Sequence, residues 1–93
     1  MSEIKLGIIG GGQLGSMLSE AARRLNIKTI IYCDDPSAPA QNFCDDFIYA
    51  EYYNKDKIYE FAKKVDIITY EFENIPYETL NEINKFKSVK PKP

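Results

Sequence analysis

Two rhythms of apolar residues run through this chain. Ile4-Lys5-Leu6-Gly7-Ile8-Ile9 is a short, β-branched, nearly continuous apolar run, which predicts a buried parallel strand. Gly10-Gly11-Gly12 ends it. Leu14, Met17, Leu18, Ala21, Ala22 and Leu25 then recur at helical spacing and predict a helix with that stripe as its inner face. Arg23, Arg24 and Asn26 stand where its last turn and C-cap would fall. Lys28 to Tyr32 predicts a second strand, followed by a proline-marked loop from Asp34 through Pro39. Phe47-Ile48-Tyr49-Ala50 predicts a third strand. Asn54 can cap a helix whose inner face is Ile58, Phe61, Ala62 and Val65. Asp66 to Tyr70 predicts a fourth strand, and Pro76 sits early in a last helix carrying Tyr77, Leu80 and Ile83.

The order is strand-helix-strand, loop, strand-helix-strand-helix. It implies an α/β fold: an open parallel sheet of about four strands with helices on both faces. Ligands of such sheets sit beyond the carboxyl ends of the strands. The tips at Gly10 to Gly15, Cys33 to Pro36 and Glu71 to Asn74 should therefore share one edge. The domain is expected to span residues 1–86, with 87–93 starting a linker, because Pro91 and Pro93 follow a lysine-rich stretch.

At 93 residues the chain is one domain at most. Lys85, Lys87, Lys90 and Lys92 supply four of its 12 basic residues, so residues 1–84 carry 8 basic against 14 acidic side chains. A body with that balance is a poor partner for nucleic-acid phosphates, and no nucleic-acid partner is expected. Cys33 and Cys44 are too few for a disulfide framework and have no metal-ligand spacing. Without histidine the chain lacks the commonest general base and transition-metal ligand, so no metal site and no catalytic residue are assigned. No signal-peptide pattern or membrane-length apolar run is present, which makes the cytoplasm the default compartment and argues against a membrane partner.

Gly10-x-Gly12-x-x-Gly15 follows a strand and opens a helix. In that context glycines allow a tight turn, close ligand approach and close helix-strand packing. The free amides of the helix start are then expected to hold a phosphate or ribose phosphate. The alternative is a tight turn with no ligand. Asp34 and Asp35 stand where a dinucleotide fold places an acid for ribose hydroxyls, and equally where Asp-Asp-Pro would simply form a turn. Tyr70-Glu71-Phe72-Glu73-Asn74 puts two carboxylates and an amide at a strand tip, suited to ribose hydroxyls or an amine, or to a solvated acidic loop. Cys33 has no histidine to activate it and is expected to be a buried small residue rather than a nucleophile.

Two segments go beyond this general pattern. Gly7-Ile8-Ile9-Gly10-Gly11-Gly12-Gln13-Leu14-Gly15-x-Met17 and Asp66-Ile67-Ile68-Thr69-Tyr70-Glu71-Phe72-Glu73-Asn74-Ile75-Pro76 closely resemble the N-terminal domain of the N5-carboxyaminoimidazole ribonucleotide synthetases. These are ATP-grasp ligases of purine biosynthesis, also described as the ATPase subunit of phosphoribosylaminoimidazole carboxylase. Asp35-Pro36 with Ser37-Ala38-Pro39-Ala40 is similar to the same family's stretch after the second strand. The resemblance covers residues 4–93 and implies a Rossmann-like, pre-ATP-grasp domain.

The resemblance also implies a reaction. The family uses ATP with Mg2+ to activate bicarbonate and transfers the carboxyl group to the amine of 5-aminoimidazole ribonucleotide. By motif match Gln13, Leu14 and Glu71 would contact the ribonucleotide, with Glu73 and Asn74 less directly supported. Ser16 departs from the family, which usually has Arg or Lys there. Family members are several times longer and expected to be homodimers, and their ATP and Mg2+ sites lie in domains beyond this stretch. The chain, as a fragment or a truncated product, is expected to bind no cofactor and to be inactive alone. Two other readings stay open: a dinucleotide-binding oxidoreductase module and a non-enzymatic docking domain.

Overall fold

A computed structural model describes residues 4–71, 75–91 and 93. Four strands, β1 (Lys5–Ile9), β2 (Lys28–Cys33), β3 (Asp46–Tyr49) and β4 (Ile67–Tyr70), form one parallel sheet in the order β3-β2-β1-β4. Three helices, α1 (Gln13–Arg24), α2 (Lys55–Lys63) and α3 (Tyr77–Asn84), connect and cover them. The predicted open parallel sheet with helices on both faces is what forms. The loop after β2 also contains a short 3-10 turn, Pro39–Asn42, which the proline pattern did not reveal.

Alternation along the central strands divides the core into two layers. Ile9, Ile30, Tyr32 and Ile68 face Ile58, Phe61, Ala62 and Val65 from the α2 region and Leu80 and Ile83 from α3. Ile8, Ile31 and Cys33 face the other way, onto Ala38, Ala40 and the half-buried Leu18 of α1. Gly7 belongs to the first face. A Cβ there would lie 2.7 Å from Cζ of Phe61 and 2.9 Å from Cγ2 of Val65, so the missing side chain is what lets α2 close on the sheet.

The inner face of α2 is as its periodicity predicts, and Asn54 caps it by accepting a 3.2 Å hydrogen bond from the amide of Lys57. Helix α1 differs. Its buried residues are Gly15, Ser19 and Ala22, whereas Leu14, Met17 and Leu25 of the predicted inner stripe are exposed. A helix that turns its small residues to the sheet can approach it closely, and its N-terminus is pinned in that rotation by a contact described below. Its C-terminus is closed as expected around Asn26, at φ 60°. The amide of Ile27 donates to the carbonyl of Ala22 and that of Asn26 to Arg23, the paired bonds of a Schellman cap. In α3, Tyr77 is exposed, and buried Thr79 instead donates its hydroxyl to the carbonyl of Tyr52 at 2.8 Å.

The packed body also extends past residue 86, where the sequence suggested a linker. The amide of Ile68 donates to the carbonyl of Ser88, and that of Lys90 to the carbonyl of Ile68, at 3.0 and 2.8 Å. Val89 is fully buried between them, so the free edge of β4 is covered through Lys90. The lysines flanking Val89 obscured its apolar anchor.

Two measurements check this packing. Ser19 is 1% exposed and its hydroxyl has no hydrogen-bond partner among the described residues. Ser19→Ala removes that desolvation cost and adds helix propensity, so it should stabilise the fold by ~1 kcal/mol in urea unfolding; a loss of stability would contradict the packing described. Tyr32 is fully buried and donates its hydroxyl to the carbonyl of Glu51. Burial, and then the Glu51 carboxylate, push its phenol up to about 12. An unfolded tyrosine ionises near 10, so this contribution is complete below about pH 10 and is lost as pH rises toward 12. Tyr32→Phe should cost ~1 kcal/mol at neutral pH yet fall less steeply between about pH 10 and 12.

Candidate functional site

The carboxyl ends of β1, β2 and β4 converge because the strands run in register. Ile9 pairs with Tyr32 on one side and with Tyr70 on the other. The next residues continue the ladder: the amide of Gly10 donates to the carbonyl of Tyr32, and that of Glu71 to Ile9. This brings the glycine turn, the Cys33–Asp35 tip and Glu71 to one edge, as expected. Between them is a cleft of about 220 Å³ lined by Gly10, Gly11, Gly12, Cys33, Asp34 and Asp35, with Ala38, Pro39, Tyr52, Glu71 and Ile75 closing it.

The centre of this edge is Glu71, only 2% exposed. One carboxylate oxygen accepts from the amide of Gly12 at 3.2 Å, and the other accepts from the amide of Gly15. The protein's own carboxylate therefore occupies the start of α1, where the sequence pattern suggested a ligand phosphate. The glycines make room for it. A Cβ on Gly10, whose φ is +107°, would stand 2.9 Å from Oε2 of Glu71, and one on Gly15 would stand 2.9 Å from Oε1. Gly11 serves a different neighbour: its Cβ would meet that of Ala38 at 2.7 Å and Sγ of Cys33 at 3.2 Å. The same approach lets the amide of Ala40 donate to the carbonyl of Gly11.

Gln13 and Leu14 open α1 on its exposed side, beside the cleft rather than in its lining. Ser16 donates its hydroxyl to the carbonyl of Gly12 at 3.1 Å, tying the turn to the helix. Asp34 and Asp35 both line the cleft and are exposed. Asp35 also acts as a turn-former, since its carboxylate accepts from the amide of Ser37 at 2.9 Å. Glu73 and Asn74 lie outside the described residues.

Tyr52 is the lining residue that sequence reasoning missed. It follows β3 with no periodic signal, and only the fold carries it to the edge. Its hydroxyl donates to Sγ of Cys33 at 3.8 Å. Burial foremost, with the adjoining Cys33 and then Asp34, raises its pKa well above the ordinary phenol value, so it is a hydrogen-bond donor at neutral pH. Cys33 is buried, as expected. Among the described residues no lysine or arginine lines the cleft, whereas three carboxylates do. Such a lining suits hydroxyls or an amine and repels phosphate.

Comparison with known proteins agrees with this architecture. A synthase named for N5-carboxyaminoimidazole ribonucleotide in Staphylococcus haemolyticus is 43% identical over 75 residues, 81% of this chain and 20% of its own length. A phosphoribosylaminoimidazole carboxylase of Ogataea methanolica is 42% identical over 92 residues, 97% of this chain and 17% of its own. The chain thus spans about a fifth of the length of the curated relatives it matches. Among solved structures, the N5-carboxyaminoimidazole ribonucleotide synthetase of Thermus thermophilus superposes with a TM-score of 0.87 at 31% identity, covering 92% of this chain and 24% of that one. The Aspergillus clavatus enzyme, in complex with ADP and 5-aminoimidazole ribonucleotide, gives 0.81 at 32% identity, covering 96% and 24%. The profile of the ribonucleotide synthetase preATP-grasp domain matches residues 3–93, and the chain belongs to that family.

Proposed function

We propose that this chain is the N-terminal, substrate-facing domain of an ATP-dependent ligase that carboxylates 5-aminoimidazole ribonucleotide with bicarbonate to N5-carboxyaminoimidazole ribonucleotide. The observation that carries the proposal is an acidic cleft at the carboxyl edge of the sheet in a member of this family. Its carboxylates at Asp34 and Asp35 suit the ribose hydroxyls or the amine of such a substrate. Gln13, the first residue of α1, offers an amide beside the cleft, and Leu14 an apolar contact next to it.

The cleft is a partial site. Its volume of about 220 Å³ falls below the roughly 300–1,000 Å³ usual for small-molecule pockets. It does not fit the phosphates of ATP either, because its lining has no cation among the described residues and Glu71 occupies the amides of Gly12 and Gly15. The rest of the substrate, ATP with Mg2+, bicarbonate and the transfer of the carboxyl group belong in this reading to the remainder of a longer enzyme. That enzyme is expected to be dimeric. The oxidoreductase reading loses its support, since the turn that would take a dinucleotide pyrophosphate is filled.

Titration of the isotope-labelled chain with 5-aminoimidazole ribonucleotide and, separately, with NADH tests this. The ribonucleotide should move the amide signals of Gln13, Leu14, Asp34 and Asp35 with a Kd of ~1 mM, as suits a partial site worth ~4 kcal/mol. Gln13→Ala should weaken it by about five- to tenfold, the effect of one lost hydrogen bond. The chain alone should form no ADP from ATP, bicarbonate and the ribonucleotide. Saturable NADH binding without ribonucleotide binding would favour the oxidoreductase reading instead.

A further inference from the structure

We propose that Glu71 is a specificity-determining residue: its carboxylate is the anion for which the glycine turn is built, and it bars phosphate from that turn. Three features support this. The amides of Gly12 and Gly15 both donate to Glu71, so the donors that a phosphate would need at the start of α1 are engaged. The space left by the absent side chains of Gly10 and Gly15 is filled by the same carboxylate, within 2.9 Å of where each Cβ would stand. A phosphate would therefore have to displace a buried side chain held by its own backbone, whose amide donates to Ile9 at 3.0 Å.

The third feature is the charge around it. Asp34 and Asp35 line the same cleft, with no lysine or arginine among the described residues beside them. An approaching dianion meets like charge from both strand tips with nothing to offset it. Ser16, one turn into α1, spends its hydroxyl on the carbonyl of Gly12 and adds no charge. The turn thus selects for the neutral or cationic end of a ligand. If the ribonucleotide reading is right, the substrate enters with its hydroxyls or amine toward this cleft and its phosphate away. The exclusion of phosphate does not depend on that reading and is tested without the ribonucleotide.

The probe is inorganic phosphate, added to labelled chain at constant ionic strength against chloride. In the wild type the amide signals of Gly12 and Gly15 should stay in place and exchange slowly with solvent. Glu71→Ala opens the socket, and phosphate should then shift both signals saturably, with a gain in affinity of at least about tenfold. Glu71→Gln keeps the volume but turns an amide donor toward one of the two backbone donors. It should lose protection at Gly12 and Gly15 and gain phosphate binding to a smaller degree. A folded variant that gains no phosphate overturns the proposal, as does a saturable phosphate shift at these amides in the wild type. Should both variants fail to fold, the wild-type titration decides: silence with slow exchange supports the proposal, and a shift refutes it.

Discussion

A buried carboxylate at the start of a helix organises this domain. Moving the charge of Glu71 out of water costs on the order of several kcal/mol unless it is met by donors. Here two backbone amides and the positive end of the α1 dipole meet it. The arrangement is mutual, because the same contact gives partners to amides that a helix start leaves without any. It also joins distant parts of the chain, linking the tip of β4 to the turn after β1. Any side chain on Gly10 or Gly15 would collide with the carboxylate, so the glycine pattern and Glu71 form one device.

That device fixes the rotation of α1. With the amide of Gly15 turned to Glu71, Gly15, Ser19 and Ala22 face the sheet, and Leu14, Met17 and Leu25 are left outside. The other end is held by the Schellman bonds at Asn26 and Ile27, while Arg23 donates to the carbonyl of Phe43 and so ties the helix to the segment after the 3-10 turn. The loop between β2 and β3 is thereby drawn under the glycine turn, with Ala38 against Gly11. A cleft wall made of loop gains rigidity because a helix braces it.

Much of the fold was legible because most elements are decided locally. The β-branched runs of β1 and β2, the Asn54 cap and the Ile58-Phe61-Ala62-Val65 face each carry their own signal, and all form as their patterns predict. The buried face of α1 was not legible. Its apolar stripe is stronger than its small-residue face, and only a tertiary bond at the helix start shows which one turns inward. Tyr52 and Val89 were hidden for a related reason. Each is a single residue in an irregular segment, placed by packing rather than by periodicity. The convergence of the three strand tips followed from topology, and hence from the order of elements alone.

The glycine turn shows where local motif reading stops. The pattern Gly10-x-Gly12-x-x-Gly15 says that something must come close to the backbone at the start of α1. It does not say whether that neighbour is a ligand or the protein itself. The two cases demand the same glycines and the same free amides, yet they leave sites of opposite electrostatic character. The deciding residue stands 56 positions beyond Gly15, on another strand. In this chain a carboxylate fills the socket, and the cleft beside it carries the further carboxylates of Asp34 and Asp35. A glycine-rich turn of this kind is therefore best read together with the tip of the neighbouring strand. A buried acid there turns an anion-binding loop into a structural joint.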